Sequence, residues 1–343
     1  MYVRELVERV ISSGGRPVVL LSHAAITSDE YNLHLGQLQN VFELETSGSI
    51  TLAHIRSTAA RHDVVLTALL EADSFRAQVA VSGWRIGRLS MLVMRPDSQK
   101  LTLLQLPMLR KFVKTLLCKG ASIRNNVTVL TLVSGTSEVV HRSEVRDPIS
   151  VTGTAQERAA IAKRFGIGDG RKWFGVVGAI SARKNPQLIL RAACTALDST
   201  AGVILAGRID SSVDGVDLAA SCDELRAKGI AVRIVDRLLE DIEVDGLLAN
   251  LHCVVLAHSN EGSSGILGKA SALGTLVLAA GAASLRRDVS NLDGALWVAL
   301  QDEDLADGLS AMAKEVSRTK QEPVLDVADG LEKLITVGAE RGR

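Results

Sequence analysis

The sequence has few aromatic residues, few cysteines and no long hydrophobic run. Aromatic side chains make up only 3% of the 343 residues although 47% are hydrophobic, so the core must be built from Val, Leu, Ile and Ala. Aliphatic cores of this kind are typical of parallel sheets that are covered by helices. The four cysteines are scattered and form no CxxC pair, which favours reduced thiols over a metal site or disulfides.

No apolar segment approaches the roughly 18 residues that a membrane-spanning helix needs, and the amphipathic start, residues 1–14, does not resemble a signal peptide. Positive and negative side chains balance, with 39 of each and a formal net charge of zero. This balance argues against a dedicated nucleic-acid-binding protein. We therefore expect a cytoplasmic protein that binds no nucleic acid.

Short aliphatic runs alternate with amphipathic segments along the chain. Such alternation predicts right-handed crossovers and a doubly wound parallel sheet of the α/β class. The length is that of two domains of about 150 to 200 residues. The predicted strands are 17–23, 63–70, 127–133, 173–180, 202–207, 231–235, 253–258 and 275–280, and the predicted helices are 3–11, 108–119, 186–197, 217–228, 267–273 and 305–316.

The pattern is more regular after residue 170 than before it. Around residue 150, turn residues are followed by a polar helical stretch and then by a glycine-rich stretch, a composition that fits a connection between domains. We therefore predict a first domain at 1–150, a second domain at 151–320 and a helical tail at 321–343. No repeat and no low-complexity segment interrupts this division.

One predicted strand of the second domain ends in a loop that suits an anion, and ligands of open α/β sheets bind at such strand ends. The strand ends at Gly178, and its loop carries Arg183 and Lys184. Asn185 and Pro186 then predict the start of a helix. Two cations beside a helix N-terminus favour a phosphate-bearing ligand, although an Arg-Lys pair in a loop, taken alone, is more often just solvated.

A second such loop begins with Glu261 and continues through the small residues 262–265 into a helix that starts near Ile266. Small residues let a ligand approach the backbone, and the first turn of a helix offers unpaired N–H groups. A pyrophosphate could accept those donors while Glu261 accepts hydrogen bonds from sugar hydroxyls. The alternative is an ordinary capped helix. A third loop, which carries Arg237, gives a weaker indication of a base-binding segment.

In order and spacing, residues 171–316 resemble the donor-binding domain of GT-B glycosyltransferases of the large retaining family four. That family has a glycine and a lysine after one strand and a segment Glu-Gly-Phe-Gly-x4-Glu before a helix. Here Gly178 and Lys184 correspond to the glycine and the lysine after the strand, and Glu261 corresponds to the first Glu of the segment. The resemblance implies a GT-B fold, in which two doubly wound, Rossmann-like domains face a cleft, the first on the acceptor side and the second binding the donor.

The resemblance also implies an activity: transfer of a sugar from a nucleotide diphosphate donor to an acceptor hydroxyl with retained configuration, in polysaccharide or glycolipid synthesis. Lys184 would hold the diphosphate and Glu261 would contact the transferred sugar, which makes them the expected catalytic residues. Neither a cofactor nor a metal is implied. The other residues expected to bind substrate are Gly178, Arg183, Arg237, Gly262, Ser263, Ser264, Gly265, Ile266 and Lys269.

The sequence departs from the family pattern at positions that include Lys269, Ala179 and Ser263. Lys269 stands where the family has its second Glu, which binds ribose, and an ammonium donates hydrogen bonds but cannot accept them. Lys269 is therefore either an additional phosphate contact or a lysine on the helix surface. Ala179 replaces an arginine, and Ser263 replaces the phenylalanine of the turn. Two alternatives stay open, a GT-B protein that binds without turnover and another sugar-nucleotide enzyme such as an epimerase.

The first domain matches the family less well, since the sequence begins at a predicted helix where family members begin with a strand. The family often has a histidine near the donor sugar in this domain; His23, at the end of a predicted strand, is the best candidate for it, and a structural or surface role is the alternative. Residues 85–124 hold nine Lys or Arg side chains against one acid, Asp97. Within them, 107–120 predicts an amphipathic helix, either a core helix with a solvated basic face or a peripheral contact with the inner face of the membrane. The second reading suits a saccharide or lipid-linked acceptor.

Overall fold

The protein is described by a computed structural model over residues 2–94, 126–136, 141–290, 292–316 and 331–336. These residues form two compact units. The first contains the described chain up to Val133 together with 141–147 and 331–336, and the second contains 134–136 and the described chain from Pro148 to 316. All the strand pairs in both units are parallel over this part of the chain.

The first unit contains two parallel sheets and the helices that cover them. The pair β1–β2 forms one sheet, and the other has the order β3-β4-β5-β6. The elements are α1 (Tyr2–Ser12), β1 (Val18–Ser22), α2 (His23–Ile26), α3 (Asp29–His34), β2 (Glu43–Ser47), α4 (Leu52–Arg61), β3 (Leu66–Leu69), α5 (Arg76–Ser82), β4 (Arg88–Val93), β5 (Val127–Val133) and β6 (Glu144–Arg146).

Helix α1 joins the two sheets of the first unit. Its apolar face puts Leu6 into a cluster with Leu92 of β4 and Leu130 of β5. The next residue, Val7, packs in a second cluster with Val19 of β1. Because one amphipathic helix covers both sheets, burial of its apolar stripe stabilises them as a single unit.

The second unit contains one sheet of six strands with the order β12-β11-β10-β7-β8-β9. The elements are α6 (Ala155–Arg164), β7 (Lys172–Val177), α7 (Pro186–Ala196), β8 (Ala201–Ala206), α8 (Gly215–Ala227), β9 (Ala231–Val235), α9 (Asp241–Asn250), β10 (Cys253–His258), α10 (Gly265–Ala272), β11 (Leu276–Gly281), α11 (Ala283–Val289), β12 (Ala295–Val298) and α12 (Asp302–Lys314); a last helix, α13 (Glu332–Thr336), belongs to the first unit.

Helices cover both faces of the six-stranded sheet, as the aliphatic composition requires. Along β10, Val254 points into one buried cluster and Val255 into the other. The chain runs from β7 through β8 to β9 toward one edge and then from β10 through β11 to β12 toward the other. The direction reverses between β7 and β10, and in open α/β sheets this switch point is where ligands bind. The loops that follow these two strands are therefore neighbours.

The structure confirms the predicted α/β class, and each predicted strand has a counterpart within a few residues. The predicted helix 107–120, with its membrane contact, lies outside the described residues. In the part of the chain that is described, no helix combines the length and apolarity needed to span a membrane. Strands β2, β4, β6 and β12 were not predicted.

Candidate functional site

The loop after β7 is fastened to the end of the neighbouring strand β10. It contains a 3-10 turn, Ala182–Lys184, and Asn185 then adopts the left-handed conformation with φ of 48°. The Asn185 side-chain amide donates to the carbonyl of Ala257 at 2.9 Å. The amide of Ser259 donates to the carbonyl of Arg183 at 2.9 Å. These bonds across the switch point fix the position of the lysine that ends the turn.

Lys184 is buried in this loop, with 8% of its surface exposed. Among the described residues its one hydrogen-bond acceptor is the carbonyl of Val177 at 3.1 Å, although an ammonium can donate three bonds. Burial, and to a lesser degree the charge of Arg183, lowers the pKa of Lys184 to about 8. The side chain is therefore mostly an ammonium at neutral pH. An anionic ligand could replace the hydrogen bonds to water that the ammonium loses on burial.

Gly178, Lys184 and Ile266 converge at the C-terminal end of the two central strands, β7 and β10. A Cβ on Gly178 would lie 3.7 Å from the Lys184 Nζ and 3.6 Å from the Ile266 Cδ1. Gly178 has φ of +84°, a conformation that favours glycine. At the end of β8, a Cβ on Gly207 would come within 2.2 Å of the Gly178 carbonyl oxygen, so side chains are excluded there. The structure thus brings together three residues that the sequence predicted as ligand contacts.

Helix α10 begins beside these residues. Ser264 caps it, since its hydroxyl accepts a bond from the amide of Leu267 at 3.4 Å. The amides of the first helical residues, Gly265 and Ile266, have no acceptor within the helix. With the positive end of the helix dipole, such amides form an anion-binding arrangement. Lys184 and the start of α10 therefore present positive charge to the same region.

Glu261 is held by the start of helix α11. Its two carboxylate oxygens accept bonds from the amides of Ala283 at 2.9 Å and Ser284 at 2.7 Å. Burial by itself would raise the pKa of Glu261, but these hydrogen bonds outweigh it and hold the pKa below the usual value. The Ser284 hydroxyl also bonds to the backbone of Gly262. Glu261 is thus an anion with a fixed position, and its contact with a sugar stays a prediction.

Lys269 is not the surface lysine considered above. It is buried, with 6% of its surface exposed, and its Nζ donates to the carboxylate of Asp245 on α9 at 2.7 Å. Asp245 is fully buried, and its other oxygen accepts bonds from the amide of Thr152 at 2.7 Å and from its hydroxyl at 2.9 Å. This face of α10 packs against α9, so the ammonium is bonded inside the unit instead of extending toward a diphosphate.

Arg237 also has a partner within the protein. Its guanidinium makes two bonds of 2.7 Å to the buried carboxylate of Glu243, which Arg164 contacts as well. The hydrogen bonds from Arg237 are the main reason why the pKa of Glu243 lies below its usual value. Both guanidinium groups lie over the ring of Phe165, at 5.7 and 5.2 Å from its centre. The contacts of Arg237 therefore fix the loop at the start of α9. Among the described residues, no hydrogen bond or ring contact connects Arg237 with Lys184.

Arg183 links the two loops, because one of its guanidinium nitrogens donates to the side chain of Asn260 at 3.2 Å. Two buried polar residues near these loops, His258 and Asp288, were not predicted from the sequence. Burial is the main cause that raises the pKa of Asp288, and the charge of Glu261 adds to it. His258 could have been found, because a histidine that ends the otherwise apolar run "CVVLAH" is unusual.

Comparisons with known proteins agree with this architecture. No protein-family profile matches the sequence, and no curated sequence is similar to it. Solved structures that are similar to this chain include glycosyltransferases of the GT-B fold, and the chain has this fold, as the resemblance implied.

One of these structures is HepE of Anabaena in complex with UDP and glucose, with a TM-score of 0.63, 13% identity, and coverage of 92% of this chain and 86% of that chain. Another is sucrose-phosphate synthase of Thermosynechococcus elongatus, with a TM-score of 0.60, 14% identity, and coverage of 91% and 86%. A glycosyltransferase of Rickettsia africae has a TM-score of 0.60, 10% identity, and coverage of 91% and 83%. At these identities the likeness establishes the fold alone.

Proposed function

We propose that the protein is a glycosyltransferase that takes its sugar from a nucleotide diphosphate. The observation that carries the proposal is the convergence of Gly178, Lys184 and Ile266 at the switch point of the sheet. A buried ammonium, a glycine without a side chain and the start of a helix together suit a diphosphate. The UDP and glucose bound by HepE, a protein of the same fold, support this choice of ligand.

The chemistry of the site follows from its charges. In the transfer, the bond between the sugar's anomeric carbon and the diphosphate breaks, the acceptor oxygen bonds to that carbon, and the proton of the acceptor hydroxyl passes to the departing diphosphate. Negative charge develops on the departing diphosphate, which Lys184 and the first amides of α10 would stabilise. Glu261, an anion of fixed position, would orient hydroxyls of the sugar. We propose Lys184 and Glu261 as the catalytic residues.

Further parts of the proposal rest on the family resemblance. They are retention of configuration, a saccharide or lipid-linked acceptor, a role in polysaccharide or glycolipid synthesis, and peripheral membrane contact through 107–120. A second candidate function is binding of the same donor without turnover. It is favoured by the bonds from Ala283 and Ser284, which use both oxygens of Glu261. Activity separates the two candidates, because both predict the same ligand.

We expect nucleotide-diphosphate sugars to raise the thermal unfolding midpoint of the protein. A ligand at about a hundred times its Kd adds about 2.7 kcal/mol of stability, or several degrees for a unit of this size. A panel of UDP-, GDP- and ADP-sugars identifies the donor, and the matching nucleoside monophosphates are the control, because they lack the diphosphate. Release of free nucleoside diphosphate in the presence of acceptor sugars then shows turnover. A flat midpoint across the panel would contradict the proposal.

A further inference from the structure

His258 ends strand β10 in the wall of the candidate site. Its carbonyl accepts a bond from the amide of Ala282 at 2.9 Å, which continues the pairing of β10 with β11. The side chain is 8% exposed, and within the described residues its Nε2 is buried without a hydrogen-bond partner. Buried polar atoms of native proteins are nearly always bonded, and an exception calls for an explanation such as an unseen ligand.

The groups around His258 carry positive charge. Lys184 and Arg183 come from the loop after β7, which is bonded to the end of β10. Gly281 and Ala282, which follow from β11, bring no charge, and the nearby acid Glu261 is bonded to the start of α11. The cluster thus contains two cations and an imidazole.

The free protein keeps this imidazole neutral. Burial, followed by the charges of Lys184 and Arg183, lowers the pKa of His258 to about 4. A bound diphosphate reverses the second influence, because its negative charges favour the protonated ring. The neutral imidazole is thus a group whose protonation depends on whether an anion occupies the site.

We propose that His258 is a further ligand of the donor diphosphate and takes up a proton from solvent when the diphosphate binds beside Lys184. No other bond changes: the imidazole and one proton give an imidazolium, which donates to a phosphate oxygen. The inference rests on the proposed function, since it needs a diphosphate at this site. It assigns to His258 a binding role that neither the motif pattern nor the family resemblance supplied.

Proton uptake on binding fixes the direction in which donor affinity changes with pH, and this direction can be measured. The bound state holds more protons than the free state between the low pKa of free His258 and the raised pKa of the complex. Donor affinity therefore increases as the pH falls from about 7.5 toward 5.5, the range of an ordinary histidine. Lys184, with its pKa of about 8, adds a separate uptake on the alkaline side, above neutral pH.

The test is calorimetric titration with UDP-glucose at about pH 6, in two buffers of different ionisation enthalpy. The diphosphate of UDP-glucose is a diester whose charge is constant in this range, so the ligand contributes no proton change. We expect the wild type to take up most of one proton per ligand bound and the His258→Gln variant to take up almost none. At about pH 8.5, both should show the uptake that belongs to Lys184, while Lys184→Met should lose it.

A second measurement does not depend on the variant, which could unfold. The histidine ring resonances of the wild type report whether His258 is charged in the complex at about pH 6. A ring that stays neutral, or equal proton uptake by wild type and a folded His258→Gln variant, would overturn the inference and leave the proposed function intact. Failure of the wild type to bind UDP-glucose, GDP-mannose or ADP-glucose would instead overturn both.

Discussion

The Lys184→Ala variant is expected to bind a nucleotide-diphosphate sugar about tenfold to a hundredfold more weakly than the wild type. Loss of a hydrogen bond to a charged group costs roughly 1.5 to 3 kcal/mol, which corresponds to this range. The ammonium is buried, so solvent does not replace the lost interaction. Calorimetry on the folded variant measures the change, with the transfer rate recorded in parallel.

Lys172→Ala is the matched control for this variant. Lys172 begins β7, the strand that leads to Lys184, but at the opposite end, where its Nζ donates to the carbonyl of Ala313. The substitution removes the same formal charge and should leave donor affinity unchanged. Equal weakening in both variants would show that the effect is one of net charge and not of a site.

Glu261→Gln separates binding from transfer in the same assay. The amide that replaces the carboxylate cannot accept the bonds of Ala283 and Ser284 with both of its atoms, since its nitrogen is a donor. It also weakens the orientation of the sugar hydroxyls. We expect the transfer rate to fall more than the affinity for the donor. An unchanged rate would exclude Glu261 from the reaction.

Lys269→Ala should lower the free energy of unfolding by about 3 to 5 kcal/mol, because it leaves Asp245 as a buried carboxylate without its cation. For a domain of this size, the unfolding midpoint should fall by about 10 °C. Lys269→Glu, which restores the acid of the family pattern, should be at least as harmful, since it buries two carboxylates together. Chemical denaturation of the wild type and both variants measures the differences.

A double variant provides the control for this pair. In Lys269→Met with Asp245→Asn the buried charges are removed together, and the amide oxygen introduced by the second substitution can still accept the bond from the amide of Thr152. Removing both charges together avoids the uncompensated buried carboxylate that makes the loss of one partner costly. We therefore expect the double variant to recover most of the loss. If Lys269→Ala alone were harmless, the ion pair would not hold α10 against α9.

The sheet of the second unit could be predicted because its strands are buried on both faces. Runs such as residues 253–257 are then continuously apolar, and this signal is strong. Strand β2, Glu43–Ser47, is mostly polar and partly exposed, so its sequence resembles a loop. Strand β4, Arg88–Val93, begins inside the basic stretch 85–124, and such a concentration of positive charge is more typical of an exposed surface than of a buried strand.

The candidate site was predictable only in part. The positions of Gly178, Lys184 and the start of α10 follow from strand ends at a switch point, a rule that needs only the order of the elements. The partner of Lys269 could not be read from the sequence, because Asp245 lies 24 residues away on another helix. The same holds for Glu261, whose bonds reach 22 and 23 residues along the chain. Local patterns locate a loop, whereas tertiary contacts decide what each side chain bonds to.

The most direct test of the proposed donor site is a crystal structure of the protein with UDP-glucose or the donor that the thermal panel identifies. We predict that the diphosphate lies within hydrogen-bonding distance of the Lys184 Nζ and of the amides of Gly265 and Ile266, with the Cα of Gly178 against it. The sugar would then lie toward Glu261. A diphosphate bound elsewhere, with Lys184 still bonded only to Val177, would contradict the account.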